Sequence, residues 1–174
     1  MSLATFPDEA NQLLQTMRLQ VGGVQRVTEQ FKSFDRSDAV RFLTDAASST
    51  DDGIRCDAIE VLKAVSPEDA YRHVLGLAGD QDPMMRFAAL DFLAEFQKPE
   101  SLPIVLQLLR SDPDGMVRYK AASVLADIGD ASVLADLERA AASDDAVDFE
   151  GRSIREVATR AIAAINARAG QGRS

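Results

Sequence analysis

Apolar residues recur at steps of three and four along most of the chain, the spacing that places them on one face of an α-helix. One series runs through Ile54, Ala58 and Leu62, and series with the same offsets begin at Met85 and Val117. This is the period of a helix and not of a strand. The pattern therefore predicts an all-α protein.

Four segments share a longer pattern, which makes the chain a repeat protein. In each, an acidic turn precedes an apolar residue and an Arg, with a small residue three positions after the Arg and a branched aliphatic residue four positions further on. The four arginines are Arg55, Arg86, Arg118 and Arg155. Second amphipathic segments open between them at Asp35, Pro67, Pro99 and Ala131. The repeat of about 32 residues predicts about four helical hairpins, with a longer turn before the last motif helix.

These repeats set the expected domain organisation. A repeat domain is predicted over residues 35–169, and its hairpins cover 35–65, 66–97, 98–129 and 130–169. A single hairpin would leave an apolar face in water, so the stack is the unit of stability. Residues 1–34 form a separate N-terminal segment, and residues 170–174 are expected to be a flexible tail.

The N-terminal segment lacks the motif but carries an apolar stripe. The stripe comprises Leu14, Met17, Val21, Val24, Thr28 and Phe31. Gly22 and Gly23 interrupt it, so either one helix bends there or two short helices meet. The segment is expected to cap the first repeat, and the alternative is a docking helix or a homodimer contact.

The recurring motif resembles the HEAT-repeat superfamily, nearest the phycobilisome-lyase-like HEAT repeats, over roughly residues 35 to 168. The resemblance implies a right-handed α-solenoid of about four hairpins with an N-terminal capping helix or helix pair. It also implies that the motif helices line a concave face, and that each motif arginine pairs with a turn aspartate of its own or the adjacent repeat. The implied structural ladder consists of Arg55, Arg86, Arg118 and Arg155 with Asp52, Asp82 and Asp114, and with Glu150 as a further candidate. Arg168, outside the ladder, is expected to be exposed and to contribute little to stability.

Composition narrows the range of partners and compartments. The formal net charge of −9 argues against a nucleic-acid partner, because such a chain repels phosphate backbones. Cys56 is the only cysteine, so no internal disulfide is expected and a reducing cytoplasm fits. No membrane span or signal peptide is expected from the apolar pattern.

Few residues are suited to catalysis. His73 and Cys56 are the only histidine and the only cysteine, and neither lies in a catalytic or metal-binding motif. The sequence has no Gly-rich phosphate loop. It also lacks the His-Glu pairs on which the di-iron deoxyhypusine hydroxylases of the same superfamily depend. A non-catalytic protein without a cofactor is expected.

The expected binding site is the concave face of the motif helices. Its predicted partner-binding residues are Phe87, Tyr119, Glu60, Asp91, Ser123 and Asp127. Phe87 and Tyr119 occupy equivalent positions in adjacent repeats and would be exposed aromatic anchors. In the alternative, Phe87 folds into the seam between repeats and Tyr119 covers the core.

Three functional hypotheses follow. The leading one is a protein-interaction module or scaffold that receives a basic or apolar peptide or helix on the concave face, where the acidic residues favour a basic partner. The second is a phycobilin-lyase-like or chromophore-handling protein, which rests on the resemblance alone. The third is the regulatory subunit of an enzyme.

Overall fold

The computed structural model describes residues 6–17, 22–148 and 150–171, and within these ranges the protein is all-α. The helices are α1 (Phe6–Thr16), α2 (Gly23–Ser33), α3 (Arg36–Ala46), α4 (Asp52–Val65), α5 (Pro67–Leu77), α6 (Pro83–Phe96), α7 (Leu102–Ser111), α8 (Gly115–Ile128), α9 (Leu134–Ser143) and α10 (Ile154–Gln171). The only extended pairing in the described ranges is one antiparallel bridge between Val147 and Ser153. The predicted fold class is confirmed.

The acidic turns begin the helices. The carboxylates of Asp51, Asp82 and Asp114 accept backbone N–H groups in the first turns of α4, α6 and α8. Such N-caps satisfy donors that have no partner inside the helix. Asp35 caps α3 in the same way. These recurring aspartates therefore act as helix N-caps.

The chain forms two compact units, residues 1–74 and residues 75–174. In the first unit, α3 and α4 pack as a hairpin, and both α1 and α2 contact α4. The aromatic ring of Phe31 from α2 is fully buried and contacts the rings of Phe34 and Phe42, with centroid distances of 5.6 and 5.9 Å. The N-terminal segment therefore covers the apolar face of the first hairpin.

Two helices, not one bent helix, make up the N-terminal segment. Gly22 has a φ of 70°, in the left-handed region that favours glycine, and a Cβ at Gly23 would lie 1.9 Å from the Met17 carbonyl oxygen. The break shifts the buried face, so Val27 is buried while the side chain of Val24 is 42% exposed. Val24 therefore does not share the buried face of the other described members of the predicted stripe, and Val21 lies outside the described residues.

In the second unit, the helices form two layers. Helices α6, α8 and α10 contact one another in sequence, and α7 and α9 pack against them. The small residues of the motif, Ala89, Ala121 and Ala158, are fully buried where these helices meet. A larger side chain there would push the helices apart. No described helix is long and apolar enough to cross a membrane.

Candidate binding face and arginine ladder

Helices α6 and α8 carry most of the predicted binding residues. We call Phe87, Asp91, Tyr119, Ser123 and Asp127 the α6–α8 strip. Asp91 and Asp127 are exposed, Phe87 and Ser123 are half-buried, and Tyr119 is buried. Helical spacing puts these residues on corresponding faces of two helices in contact. The exposed positions of the strip are therefore both acidic.

A lysine of the protein already occupies part of this strip. Lys120 of α8 forms an ion pair with Asp91 of α6, and its Nζ lies 5.2 Å from the centroid of the Phe87 ring. An ammonium group over an aromatic face is attracted by the electron density of the ring. Phe87 and Asp91 together thus form a small cation-binding site.

Tyr119 is not the exposed anchor that was predicted. It retains only 8% of its accessible surface, and the guanidinium carbon of Arg152 lies 5.1 Å from its ring centroid. Arg152 is held in place by Asp148, whose carboxylate accepts its Nε–H at 2.6 Å. The long turn before α10 therefore supplies a side chain that covers the ring.

The remaining predicted binding residue, Glu60, lies outside the strip and belongs to the first unit. It is half-buried on α4 and pairs with Lys63 one turn further along, with an Nζ–Oε2 distance of 2.8 Å. Glu150, proposed as a ladder acid, instead pairs with Arg152 at 3.0 Å.

The arginine of α6 joins two consecutive turns. Its Nε and Nη2 donate to the two carboxylate oxygens of Asp112 at 2.6 and 2.8 Å, and Nη1 donates to the carbonyl oxygens of Asp80 and Gln81. The side chains of Arg86 and Asp112 are 10% and 2% exposed. Arg86 therefore ties the turn before its own helix to the turn before the next motif helix.

Arg118 of α8 repeats this arrangement in the next hairpin. Its Nε and Nη2 donate to Asp144 at 2.7 and 3.1 Å, while Nη1 donates to the carbonyl oxygens of Asp112 and Pro113. In both pairs the aspartate follows the arginine by 26 residues. Asp112 thus accepts hydrogen bonds from Arg86 on its carboxylate and from Arg118 on its backbone carbonyl oxygen.

Both arginines pair with a turn aspartate of the adjacent repeat, as the resemblance implied, but the residues predicted for this role, Asp82 and Asp114, are wrong. Asp82 and Asp114 cap α6 and α8, and the paired carboxylates belong to Asp112 and Asp144. The sequence contains the missing signal, because Asp80, Asp112 and Asp144 recur at the interval of the repeat. Asp80 and Asp112 each begin an Asp-x-Asp triplet, and the last aspartate of each triplet caps the helix that follows.

The other two arginines of the predicted ladder also pair with acids of nearby turns. Arg55 forms an ion pair with Asp52 at 3.1 Å, as predicted for a turn acid of the same repeat. Arg155 pairs with the exposed Asp145, and its Nη1 donates to the Ala141 carbonyl oxygen at 3.0 Å. Because the turn before α10 is longer, Ala141 and Asp145 precede Arg155 by 14 and 10 residues.

Arg168 is exposed but has a structural role that the sequence did not predict. Its guanidinium donates to the carbonyl oxygens of Ala126 and Gly129, the latter at 2.8 Å, at the C-terminal end of α8. The last carbonyl oxygens of a helix lack partners within it, and a cation there complements the helix dipole.

The ladder fixes the charge of its members. Hydrogen bonds from Arg118 hold the pKa of Asp144 below its ordinary value, against the opposing effect of burial. The hydrogen bonds to Asp112 raise the pKa of Arg86. These shifts favour the charged forms of Asp144 and Arg86.

The single histidine lies on α5 in the first unit. Burial lowers its pKa, opposed by the charge of Asp69 and assisted by that of Arg72. Within the described ranges, no group of three or more His, Cys, Asp or Glu side chains is arranged to hold a metal ion.

Comparison with known proteins identifies the repeats. A family described as HEAT repeats matches residues 74–163, more than half of the chain, and the match includes α6, α7, α8 and α9. No curated protein matches the sequence.

Proposed function

The chain belongs to the HEAT-repeat family, and we propose that it is a non-catalytic interaction module whose α6–α8 strip receives a basic segment of another protein. The observation that carries this proposal is the position of Lys120, which pairs with Asp91 and covers the Phe87 ring. An arginine or lysine of a partner would take the place of Lys120. The partner would then gain both an ion pair and a cation–π contact.

The strength of the contacts made by Asp91 and the Phe87 ring sets the conditions for exchange at this site. Asp91 keeps 50% of its side chain exposed, so its ion pair with Lys120 is a surface pair of low net strength. A partner cation that also excludes water from the half-buried Phe87 ring gains about 0.5 to 2 kcal/mol from the ring, depending on desolvation. Lys120, whose side chain is 21% exposed, gives up the same two contacts, so the net gain of the partner comes from the water that it excludes.

Charge supports the same class of partner. The exposed acids Asp91, Glu95 and Asp127 follow one another along α6 and α8, and the whole chain carries a net charge of −9. Complementary charge accelerates association with a basic segment and makes binding sensitive to salt.

A crosslinking experiment tests the location of the site. A photoreactive amino acid is placed at Ser123 within the strip or, as a control, at the exposed Glu138 on α9, in the other layer of the unit. We expect partner crosslinks from position 123 and not from position 138. Equal crosslinking from both positions, or crosslinks from 138 alone, would contradict the proposal.

Two matched charge changes test the chemistry. Asp91→Asn should reduce capture of the partner, because it removes the carboxylate that the incoming cation needs. Glu138→Gln removes the same charge from α9 and should leave capture unchanged. If both variants lose capture equally, the effect is one of net charge and the strip is not the site.

The chromophore-handling alternative rests on the sequence resemblance alone. A tetrapyrrole titration followed by visible absorbance separates it from the interaction module. A saturable spectral shift would favour chromophore handling, whereas a spectrum equal to that of free pigment would leave only protein-binding roles, including that of an enzyme's regulatory subunit.

A further inference from the structure

A groove between α7 and α9 gathers three arginines. It is lined by Leu109, Arg110, Arg118, Asp136, Arg139, Ala140, Ser143 and Asp144. Arg118 belongs to the ladder and is paired with Asp144. The other two arginines lie outside the ladder.

Arg110 and Arg139 share one carboxylate. Arg110 donates Nε and Nη2 to the two oxygens of Asp136 at 2.7 and 2.6 Å, and Arg139 donates Nη1 to Oδ1 at 2.9 Å. The Asp136 side chain is 6% exposed, whereas those of Arg110 and Arg139 are 52% and 66% exposed. Two guanidinium groups thus lie beside one buried carboxylate. The three groups together carry a net charge of +1.

Several donors of these arginines remain available. Within the described chain, no hydrogen bond uses Nη1 of Arg110 or Nε and Nη2 of Arg139. Asp136 already accepts two donors on Oδ1 and one on Oδ2, so at most one acceptor site remains on it for these spare donors. The spare donors face solvent because most of both arginine side chains is exposed.

The adjacent hairpin shows that the fold does not require this cluster. The equivalent groove one repeat earlier contains the ladder pair Arg86 and Asp112, together with Ala78 and Gln107. These last two stand 32 residues before Arg110 and Arg139. Ile104 occupies the position equivalent to Asp136. The same scaffold therefore forms with an uncharged set at all three positions.

Stability alone does not account for the second arginine. A buried carboxylate needs a partner, and the bidentate contact of Arg110 already provides one. Arg139 adds a like charge next to Arg110 through an exposed contact that contributes little to folding. An anion in the groove would neutralise this excess charge.

We infer that the α7–α9 groove binds a phosphate-type oxyanion between Arg110 and Arg139. Planar guanidinium groups present paired N–H donors that match the oxygen spacing of phosphate, and these charge-assisted hydrogen bonds are the strong ones. The ligand is either inorganic phosphate or a phosphate ester on a partner, since both present the same oxygens. The site lies on the layer of α7 and α9 and is independent of the α6–α8 strip.

Nuclear magnetic resonance of the arginine Nε–H groups tests the site directly. Inorganic phosphate should cause saturable shifts of the Arg110 and Arg139 signals that sodium chloride at equal ionic strength does not cause. In Arg139→Gln, which installs the residue of the equivalent position, the apparent Kd read from Arg110 should rise about tenfold, as expected for one lost charge-assisted hydrogen bond. Arg160→Gln removes an exposed arginine of α10 and should leave the affinity unchanged.

Two results would overturn the inference. One is the absence of a saturable shift beyond that in chloride, and the other is equal affinity in wild type and Arg139→Gln. A triple variant, Arg110→Ala, Asp136→Ile and Arg139→Gln, copies the chemistry of the neighbouring groove without leaving a buried charge unpaired. It should fold, as judged by circular dichroism, and lose phosphate binding, and retained binding in this variant would also refute the site.

The source of the phosphate is read from a second titration. A short phosphoserine peptide is compared with its unphosphorylated form and with inorganic phosphate. Tighter binding of the phosphopeptide identifies an ester on a partner, and equal binding of peptide and inorganic phosphate identifies the free ion. Binding of the unphosphorylated peptide with the same affinity would contradict the inference.

Discussion

Arg86 and Asp112 lie 26 residues apart in sequence, yet they form a bidentate ion pair whose side chains are 10% and 2% exposed. The pair joins the start of one motif helix to the turn before the next. Removing one member of such a pair leaves the other buried without its counter-charge, which is far more destabilising than losing a surface contact.

Asp112→Ala should therefore reduce the free energy of unfolding by about 3 to 5 kcal/mol. The change also frees the backbone N–H of Asp114, which the Asp112 carboxylate accepts at 2.9 Å. Asp127→Ala on the exposed face of α8 is the control and should change stability by no more than about 0.5 kcal/mol. Urea titrations give both values, and equal effects would show that the ion pair does not stabilise the repeats.

Gly115→Ala should destabilise the protein although it replaces a helical glycine. Alanine normally stabilises a helix by about 0.5 to 1 kcal/mol relative to glycine. A Cβ at Gly115 would lie 2.9 Å from the Cβ of Ala146, so overpacking reverses the sign, by about 1 to 3 kcal/mol. Gly79→Ala meets only the Gly76 carbonyl oxygen at 3.7 Å and should be neutral or slightly stabilising. Thermal unfolding of both variants decides whether the turn before α10 packs on α8.

Tyr119 and Phe87 should respond differently to truncation. Tyr119→Ala removes a buried ring and should cost about 3 to 5 kcal/mol of stability, whereas Tyr119→Phe keeps the ring under Arg152 and should cost less than about 1.5 kcal/mol. Phe87→Ala should lose less stability than Tyr119→Ala, because the Phe87 ring is half-buried, and should lose partner capture. The opposite order of stabilities in denaturant titrations would show that Phe87 belongs to the core.

Acid should weaken the second unit. The pKa of Asp136 is lowered, chiefly by its hydrogen bonds from Arg110, and that of Asp144 by those from Arg118. A depressed pKa in the folded state contributes stability above the unfolded value of about 3.9, and this is lost as pH falls through the folded pKa. Unfolding titrations should therefore show stability falling below about pH 4.

Asp136→Asn is the matched variant for this pH dependence. It should be less stable than wild type at pH 7 and lose less of its stability on acidification, so the two curves converge at low pH. Parallel curves would assign the acid sensitivity to other carboxylates.

The N-terminal pair should behave as a cap. Val27 is 1% exposed and Val24 is 42% exposed, so Val27→Ser should destabilise the protein by about 1 to 3 kcal/mol and Val24→Ser by less than about 0.5 kcal/mol. Sedimentation should show a monomer at micromolar concentrations. A dimer that Val24→Ser dissociates would instead favour the docking role.

Sequence periodicity was sufficient to predict the helices and the repeat, because each motif helix has to bury the same apolar positions against its neighbours. Ala89, Ala121 and Ala158 are fully buried, as their place in the repeat requires. Pairing across turns was harder to predict. Asp112 and Asp114 are both acids of one turn, and only the folded backbone determines which one caps a helix and which accepts Arg86.

The positions of the α6–α8 strip residues on their helices were predictable, but their exposure was not. Helical spacing put Phe87 and Tyr119 at equivalent places, yet Arg152 arrives over the Tyr119 ring from a turn whose length departs from the repeat. The contact could not be predicted from the repeat, because Arg152 lies in a segment that does not follow the repeat pattern. Arg168 escaped prediction for a similar reason, since its partners are backbone carbonyl oxygens rather than side chains.

The double role of Asp112 gives a direction to the 32-residue unit that contains it. The turn accepts an arginine from the preceding motif helix on its carboxylate and offers its carbonyl oxygen to the arginine of the following one. A duplicated copy of this 32-residue unit would therefore carry a matching donor on one side and a matching acceptor on the other. Gene duplication could lengthen such an array at this point without evolving a new interface.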